Sequence, residues 1–218
     1  PCGGGGAPER RRSSLRGRTG DRRAPPSVAD RSTVNNFEVM AIGWSLGGSV
    51  LQALLIRNGD LVSKAVLLST FPNYTELQHA WLDCLISLRR SDVPADAQAM
   101  FGMAWGFTGK MLVNHAQLAA AARLGAAAPF QTSSAGFEAQ AHGLRRYDSR
   151  PLLPQVKTPT LVLVGAEDVL TPVSQSIEMA QLIPNATLQV LPRGSHGMAI
   201  EYTPETVAAI LEFLNGAR

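Results

Sequence analysis

Two cysteines in 218 residues are too few for a disulfide framework, and neither Cys2 nor Cys84 belongs to a C-x-x-C pair, so neither a stapled secreted scaffold nor a zinc site is expected. Cys84, in a helix-like stretch, reads as a small core residue. No run reaches the roughly 18 apolar residues of a membrane span. Charged residues make up only 17% of the chain and aromatics 6%, against 45% hydrophobic residues. That balance suits a globular domain long enough to bury a sizeable core.

The net charge of +3 is unevenly spread. Residues 1–36 hold eight arginines against Glu9, Asp21 and Asp30, so they carry +5 and the remainder −2. The basicity belongs to a Gly-, Pro-, Arg- and Ser-rich segment, residues 1–35, with no helical or strand period and no interleaved aromatics. Such a segment cannot bury enough apolar surface to offset its ordering entropy, and it lacks the stacking groups of a nucleic-acid binder. A disordered or atypical tail is expected there, with no nucleic-acid partner. No apolar segment follows the arginines as in a secretory signal, and a cytoplasmic location is expected.

From residue 37 the pattern alternates. "FEVMAIG" (37–43) and "VSKAVLLST" (62–70) read as strands around a helix in "GGSVLQALLIRNG" (47–59), which Gly59 ends. Residues 72–150 contain four helix-like stretches and no strand pattern, the third being "TGKMLVNHAQLAAAARLG". Alternation resumes with a strand in "TPTLVLVGAED", a helix in "PVSQSIEMAQLIP", a strand in "ATLQVLPRGSHG" and a helix in "TPETVAAILEFLNGA", for which Thr203 and Pro204 read as N-cap and first turn. Strands joined by crossover helices predict a parallel α/β sheet, residues 36–71 and 151–218, interrupted by a helical insertion.

In such sheets, reactive groups collect at the carboxyl ends of strands. Ser45, Asp168 and His196 follow three of them. A serine hydroxyl becomes a nucleophile when a neutral imidazole takes its proton, and the imidazole needs a carboxylate to fix its tautomer and stabilise its cation. Ser45 sits in "GWSLGG", a G-x-S-x-G match with about one chance in eight of arising by accident in a chain this rich in glycine. Gly43 and Gly47 would leave room for a cramped turn, Gly48 would let the following helix pack close, and the Leu46 amide would face a developing oxyanion. Glu167 competes with Asp168 for the acid, and His79, His115 and His142 with His196. Of these histidines, only His196 lies in a Gly-flanked loop after a strand. The set needs no metal and no cofactor.

The order Ser, Asp, His on these elements makes residues 37–218 resemble a serine α/β-hydrolase of the carboxylesterase type. "GWSLGG" resembles the elbow of pimeloyl-[acyl-carrier protein] methyl ester esterases, and "PTLVLVGAEDVLTP" and "LPRGSHG" resemble the acid and histidine loops of esterases and 3-oxoadipate enol-lactonases. The resemblance implies a Ser45–His196–Asp168 triad acting through an acyl-enzyme on a small-molecule ester of short to medium acyl length. It makes residues 72–150 a cap over the site. Trp81, Met100, Phe101, Met103, Trp105, Phe107 and Phe130 would supply its apolar walls, with Trp44 and Met198 beside the nucleophile and the histidine. A lactonase or C–C hydrolase would use the same triad.

The resemblance has a gap at its start. Members of the family carry four strands and two helices before the elbow strand, with a loop that donates a second oxyanion amide. Only 44 residues precede Ser45, and they show no such pattern. An N-terminally truncated core is therefore expected, with an apolar edge strand through which copies self-associate. The alternative is a catalytically impaired hydrolase-fold remnant that binds a partner.

Overall fold

In the computed structural model the residues described are 39–126 and 132–216. The predicted tail and Phe130 lie outside them. Four strands, β1 (Val39–Trp44), β2 (Val62–Leu68), β3 (Thr160–Gly165) and β4 (Ala186–Leu191), form one parallel sheet in the order β1-β2-β3-β4. Helix α1 (Leu46–Asn58) connects β1 to β2. Five helices follow β2: α2 (Glu76–Arg90), α3 (Ala95–Gly106), α4 (Gly109–Val113), α5 (His115–Ala126) and α6 (Ser134–Leu144). Helix α7 (Val173–Leu182) joins β3 to β4, and α8 (Met198–Glu201) and α9 (Thr203–Asn215) come after β4.

The nearly unbroken apolar run of β2 follows from burial on both faces. Ala65 and Leu67 point toward α1 and α7, joining Leu51, Leu55, Val162 and Met179. Val66 and Leu68 point the other way and pack with Leu161, Leu163, Leu191, Met198 and Ala209. This is the two-residue alternation of a strand, with an apolar layer on each side. The one basic residue of β2, Lys64, is buried, and its ammonium donates to the carbonyls of Phe213, Leu214 and Gly216 at 3.2, 2.9 and 2.6 Å. It thereby satisfies the free carbonyls at the C-terminus of α9, where a cation is favoured. Strand β1 borders the sheet among the described residues, and Val39, Met40 and Ile42 are about half exposed along it.

The ends of the helical segment meet at the sheet. Asn73 pairs with Asp148 in an isolated antiparallel bridge, and the Ser149 amide donates to the Pro72 carbonyl at 2.9 Å. Beneath this neck, buried Gln52 of α1 accepts from Tyr147 Oη and Ser149 Oγ and donates to the Phe71 carbonyl. Phe71, Leu82, Ala141 and Leu144 form a separate apolar cluster against which Leu46, Tyr74 and Trp81 pack.

Three local expectations need correction. Cys84 is exposed, because the buried face of α2 carries Gln78 and Leu82, and a residue two positions after Leu82 points to the opposite side. The stretch read as a single helix from 108 breaks at Asn114, whose side chain accepts from the Gln117 amide and starts α5 as a new helix. Thr203 is not the N-cap of α9: it is the first helical residue, and its hydroxyl donates to the Ala199 carbonyl of α8, which runs directly into α9.

Candidate active site

The turn between β1 and α1 is built by steric constraint. Ser45 has φ 53° and ψ −122°, a region costly for a residue with a side chain. The surroundings hold it there: its amide donates to the Leu68 carbonyl at 3.0 Å, and its carbonyl accepts from Thr70 Oγ1 at 2.7 Å and from the Gly48 amide at 2.9 Å. A Cβ at Gly43 would lie 2.6 Å from the Gly47 carbonyl oxygen, and one at Gly48 would lie 2.4 Å from Thr70 Oγ1. Both positions therefore require glycine. Gly47 does not contribute in the expected way, since a Cβ there meets nothing within 4 Å; its backbone, rather than its missing side chain, fills the turn.

Three sequence-predicted residues come together above this turn. His196 Nε2 lies 2.8 Å from Ser45 Oγ, and His196 Nδ1 lies 3.3 Å from Asp168 Oδ2. Asp168 is buried, while Glu167, its rival, is exposed. Asp168 Oδ1 accepts from the amides of Leu170 and Thr171 at 3.0 and 2.7 Å, and Oδ2 accepts from Thr171 Oγ1 at 2.7 Å. His79, His115 and His142 lie on α2, α5 and α6. Leu46 is the first residue of α1, so its amide has no acceptor within the helix and lies at the positive end of the helix dipole.

The predicted pocket residues divide. Trp44 is partly exposed beside the histidine, its Nε1 donating to the His196 carbonyl at 3.0 Å and its ring centroid 6.1 Å from the imidazole. Phe107 touches the histidine loop: a Cβ on Gly197 would lie 2.5 Å from Phe107 Cε1. Trp105 is partly buried on α3. Met198 is fully buried in the sheet-side cluster with Val66, Leu161 and Ala209, so it packs in the core beneath the site instead of lining a cleft. Trp81 packs near Leu46, with its Nε1 buried and unpaired. Tyr74 joins the same cluster, and burial pushes its hydroxyl up to about 12, so it is neutral.

Sequence reasoning missed two residues. One is Thr171, which touches both Asp168 and His196. The other is Glu201, which ties the histidine loop to the helical segment. Its Oε1 accepts from the amide and hydroxyl of Thr108 at 3.1 and 2.7 Å, and Ser195 Oγ stands 2.7 Å from its Oε2 and 2.6 Å from the Gly106 carbonyl. The Gly197 amide donates to that same carbonyl at 2.7 Å. The threonine three places after an acidic residue, in "DVLT", is at least a readable side-chain turn signal; Glu201 offers none.

A family described as alpha/beta hydrolase fold matches residues 31–202. The chain belongs to this family. A pimeloyl-[acyl-carrier protein] methyl ester esterase from Chromobacterium violaceum is 26% identical over 185 residues, 79% of this chain and 68% of the relative. A protein from Rhizobium rhizogenes named carbamate hydrolase RutD is 28% identical over 192 residues, 86% of this chain and 70% of the relative. Among solved structures, the enol-lactonase from Burkholderia xenovorans superposes with a TM-score of 0.71 at 24% identity, over 82% of this chain and 66% of that one. The chain thus spans about two thirds of the length of the proteins it matches. No helix among the described residues is long and apolar enough to cross a membrane.

Proposed function

We propose that this α/β-hydrolase cleaves carboxylic esters of short to medium acyl length through an acyl-enzyme on Ser45. The observation that carries the proposal is the 2.8 Å approach of His196 Nε2 to the hydroxyl of a serine held at positive φ. With Nδ1 protonated and directed at Asp168 and Thr171, the lone pair of Nε2 faces the serine proton. Ser45 Oγ attacks the acyl carbon as its proton passes to Nε2, and the imidazolium is stabilised by the Asp168 carboxylate. The oxyanion of the tetrahedral intermediate takes the Leu46 N–H at the head of α1. Collapse breaks the bond to the alkoxy oxygen, which leaves as the alcohol carrying the proton from His196. Water then attacks the acyl-enzyme, giving up its proton to Nε2, and the acid departs as Ser45 Oγ recovers that proton.

The helices α2–α6 act in this reading as a cap, with Trp44, Trp105 and Phe107 offering apolar surface to the acyl or alcohol part. The esterase name of one relative supports an ester substrate. The carbamate hydrolase and enol-lactonase names mark neighbouring acyl chemistry open to the same nucleophile. The test is a panel of p-nitrophenyl esters of increasing acyl length with wild type and Ser45→Ala. Turnover falling by about 10⁴-fold or more in the variant is expected for loss of a nucleophile; equal turnover in both would remove Ser45 from the mechanism.

A further inference from the structure

Asp168 Oδ2, His196 Nδ1 and Thr171 Oγ1 form a closed triangle with sides of 2.7, 3.1 and 3.3 Å. The longest side is the one between the imidazole and the carboxylate. The threonine oxygen is nearer to the imidazole than the carboxylate is, and Thr171 is 1% exposed, so no solvent competes for either contact. Proton accounting gives the direction of the bond between Thr171 and Asp168. An ionised carboxylate has no proton to give, and Thr171 has one, so its hydroxyl donates to Asp168 Oδ2. The lone pairs of the same oxygen are then left facing Nδ1–H. In the tautomer with Nδ1 protonated, which the hydrolase reading requires, that proton is shared between a carboxylate oxygen and a hydroxyl oxygen that is itself polarised by that carboxylate.

We infer that Thr171 is a fourth member of the site, a positioning residue that receives part of the Nδ1–H bond and thereby fixes the tautomer and ring orientation of His196 together with Asp168. The inference rests on the hydrolase reading above. Two further contacts favour a role in orientation over simple packing. The Thr171 amide donates to Asp168 Oδ1, so one residue holds both carboxylate oxygens. The Leu170 carbonyl, one residue earlier, accepts from buried Gln78 of α2, which anchors the loop from the far side. The loop cannot easily shift to bring the carboxylate closer if the hydroxyl is removed.

The test compares Thr171→Val, which keeps the branched shape and loses the hydroxyl, with Thr171→Ser, which does the reverse; Thr171→Ala covers the case in which the valine variant does not fold. Thr171→Val should lower kcat on p-nitrophenyl acetate, and the rate of Ser45 capture by a fluorophosphonate, by about tenfold to a hundredfold, the scale of one charge-assisted hydrogen bond, while KM stays within about twofold. The downfield Nδ1 proton resonance of His196 should move in Thr171→Val and return in Thr171→Ser along with most of the rate. Wild-type rates together with an unmoved resonance in Thr171→Val or Thr171→Ala would overturn the inference. Wild-type protein that is never captured at Ser45 would instead overturn the hydrolase reading beneath it.

Discussion

The two arms of the proposed site are held by different means. The serine arm, residues 43–48, is fixed by its own backbone and by residues 68–70 beside it: two glycines whose replacement would drive a Cβ into neighbouring atoms, a serine at positive φ whose amide donates to the Leu68 carbonyl, and a serine carbonyl that accepts from Thr70 Oγ1 and the Gly48 amide. The histidine arm, residues 194–198, is fixed from outside. Its carbonyl is held by Trp44, its Gly197 amide and Ser195 hydroxyl by Gly106, and its flank by Glu201 and Thr108, which bridge to the helical segment 89 to 93 residues earlier in the chain. The serine is held by residues 43–48 and 68–70, outside the helices α2–α6, whereas the histidine loop also leans on Gly106 at the end of α3 and, through Glu201, on Thr108 at the start of α4.

That contrast breaks most visibly at Gly43. In Gly43→Ala the added carbon meets backbone rather than a movable side chain, so stability should fall by about 3 kcal/mol or more, at or above the upper end of overpacking costs, and Ser45 reactivity should fall with it. Urea unfolding and labelling rates measure the two together; a variant of wild-type stability would show that the turn is not sterically set.

The histidine arm should respond differently. Glu201→Ala removes the acceptor of the Thr108 amide and hydroxyl, so stability should drop by about 2 kcal/mol while ester turnover falls by about tenfold, the cost of a histidine held loosely. The check is a melting curve beside steady-state kinetics. A large stability loss with unchanged turnover would mean that this network only fastens the fold.

The effect confined to alkaline pH concerns Tyr74, which packs edge-on against Phe71 at 4.5 Å between centroids, in the cluster that also receives Leu46. Burial raises its hydroxyl to about 12 from the ordinary value of 10.0, so the neutral form is favoured in the folded state. Its contribution is whole below pH 10 and is lost as the pH climbs from about 10 to about 12, with a full value of about 2 kcal/mol. Tyr74→Phe should flatten the alkaline fall in stability across that window and leave the acidic side unchanged; an unchanged alkaline fall would assign it to another group.

The same contrast explains what could be read from the sequence. Strand and helix alternation was legible because β2 and β3 are buried on both faces and α1 carries its apolar residues at helical spacing. The elbow was legible because its serine and its glycines lie within six consecutive residues, although Leu68 and Thr70, which also hold it, do not. Asp168 and His196 were legible because each lies in the loop that leaves the carboxyl end of a strand, β3 and β4 respectively. What could not be read depends on pairings far apart in the chain. Glu201 acquires a role only when α3 and α4 arrive beside it, and Met198 looked like a pocket residue until the core cluster took it inward. Cys84 was misplaced because composition says nothing about which side of α2 faces Leu82. Asn114 carries a cap signal, but the apolar residues on either side of it, Met111 to Val113 and Leu118 to Ala122, masked the break.

The claim that Ser45 is a nucleophile activated by His196 is tested most directly by incubating the protein with a fluorophosphonate and locating the adduct by mass spectrometry. One covalent adduct is expected on the peptide containing Ser45, lost in Ser45→Ala and strongly slowed in His196→Ala. Unmodified wild-type protein, or an adduct on another serine, would contradict it.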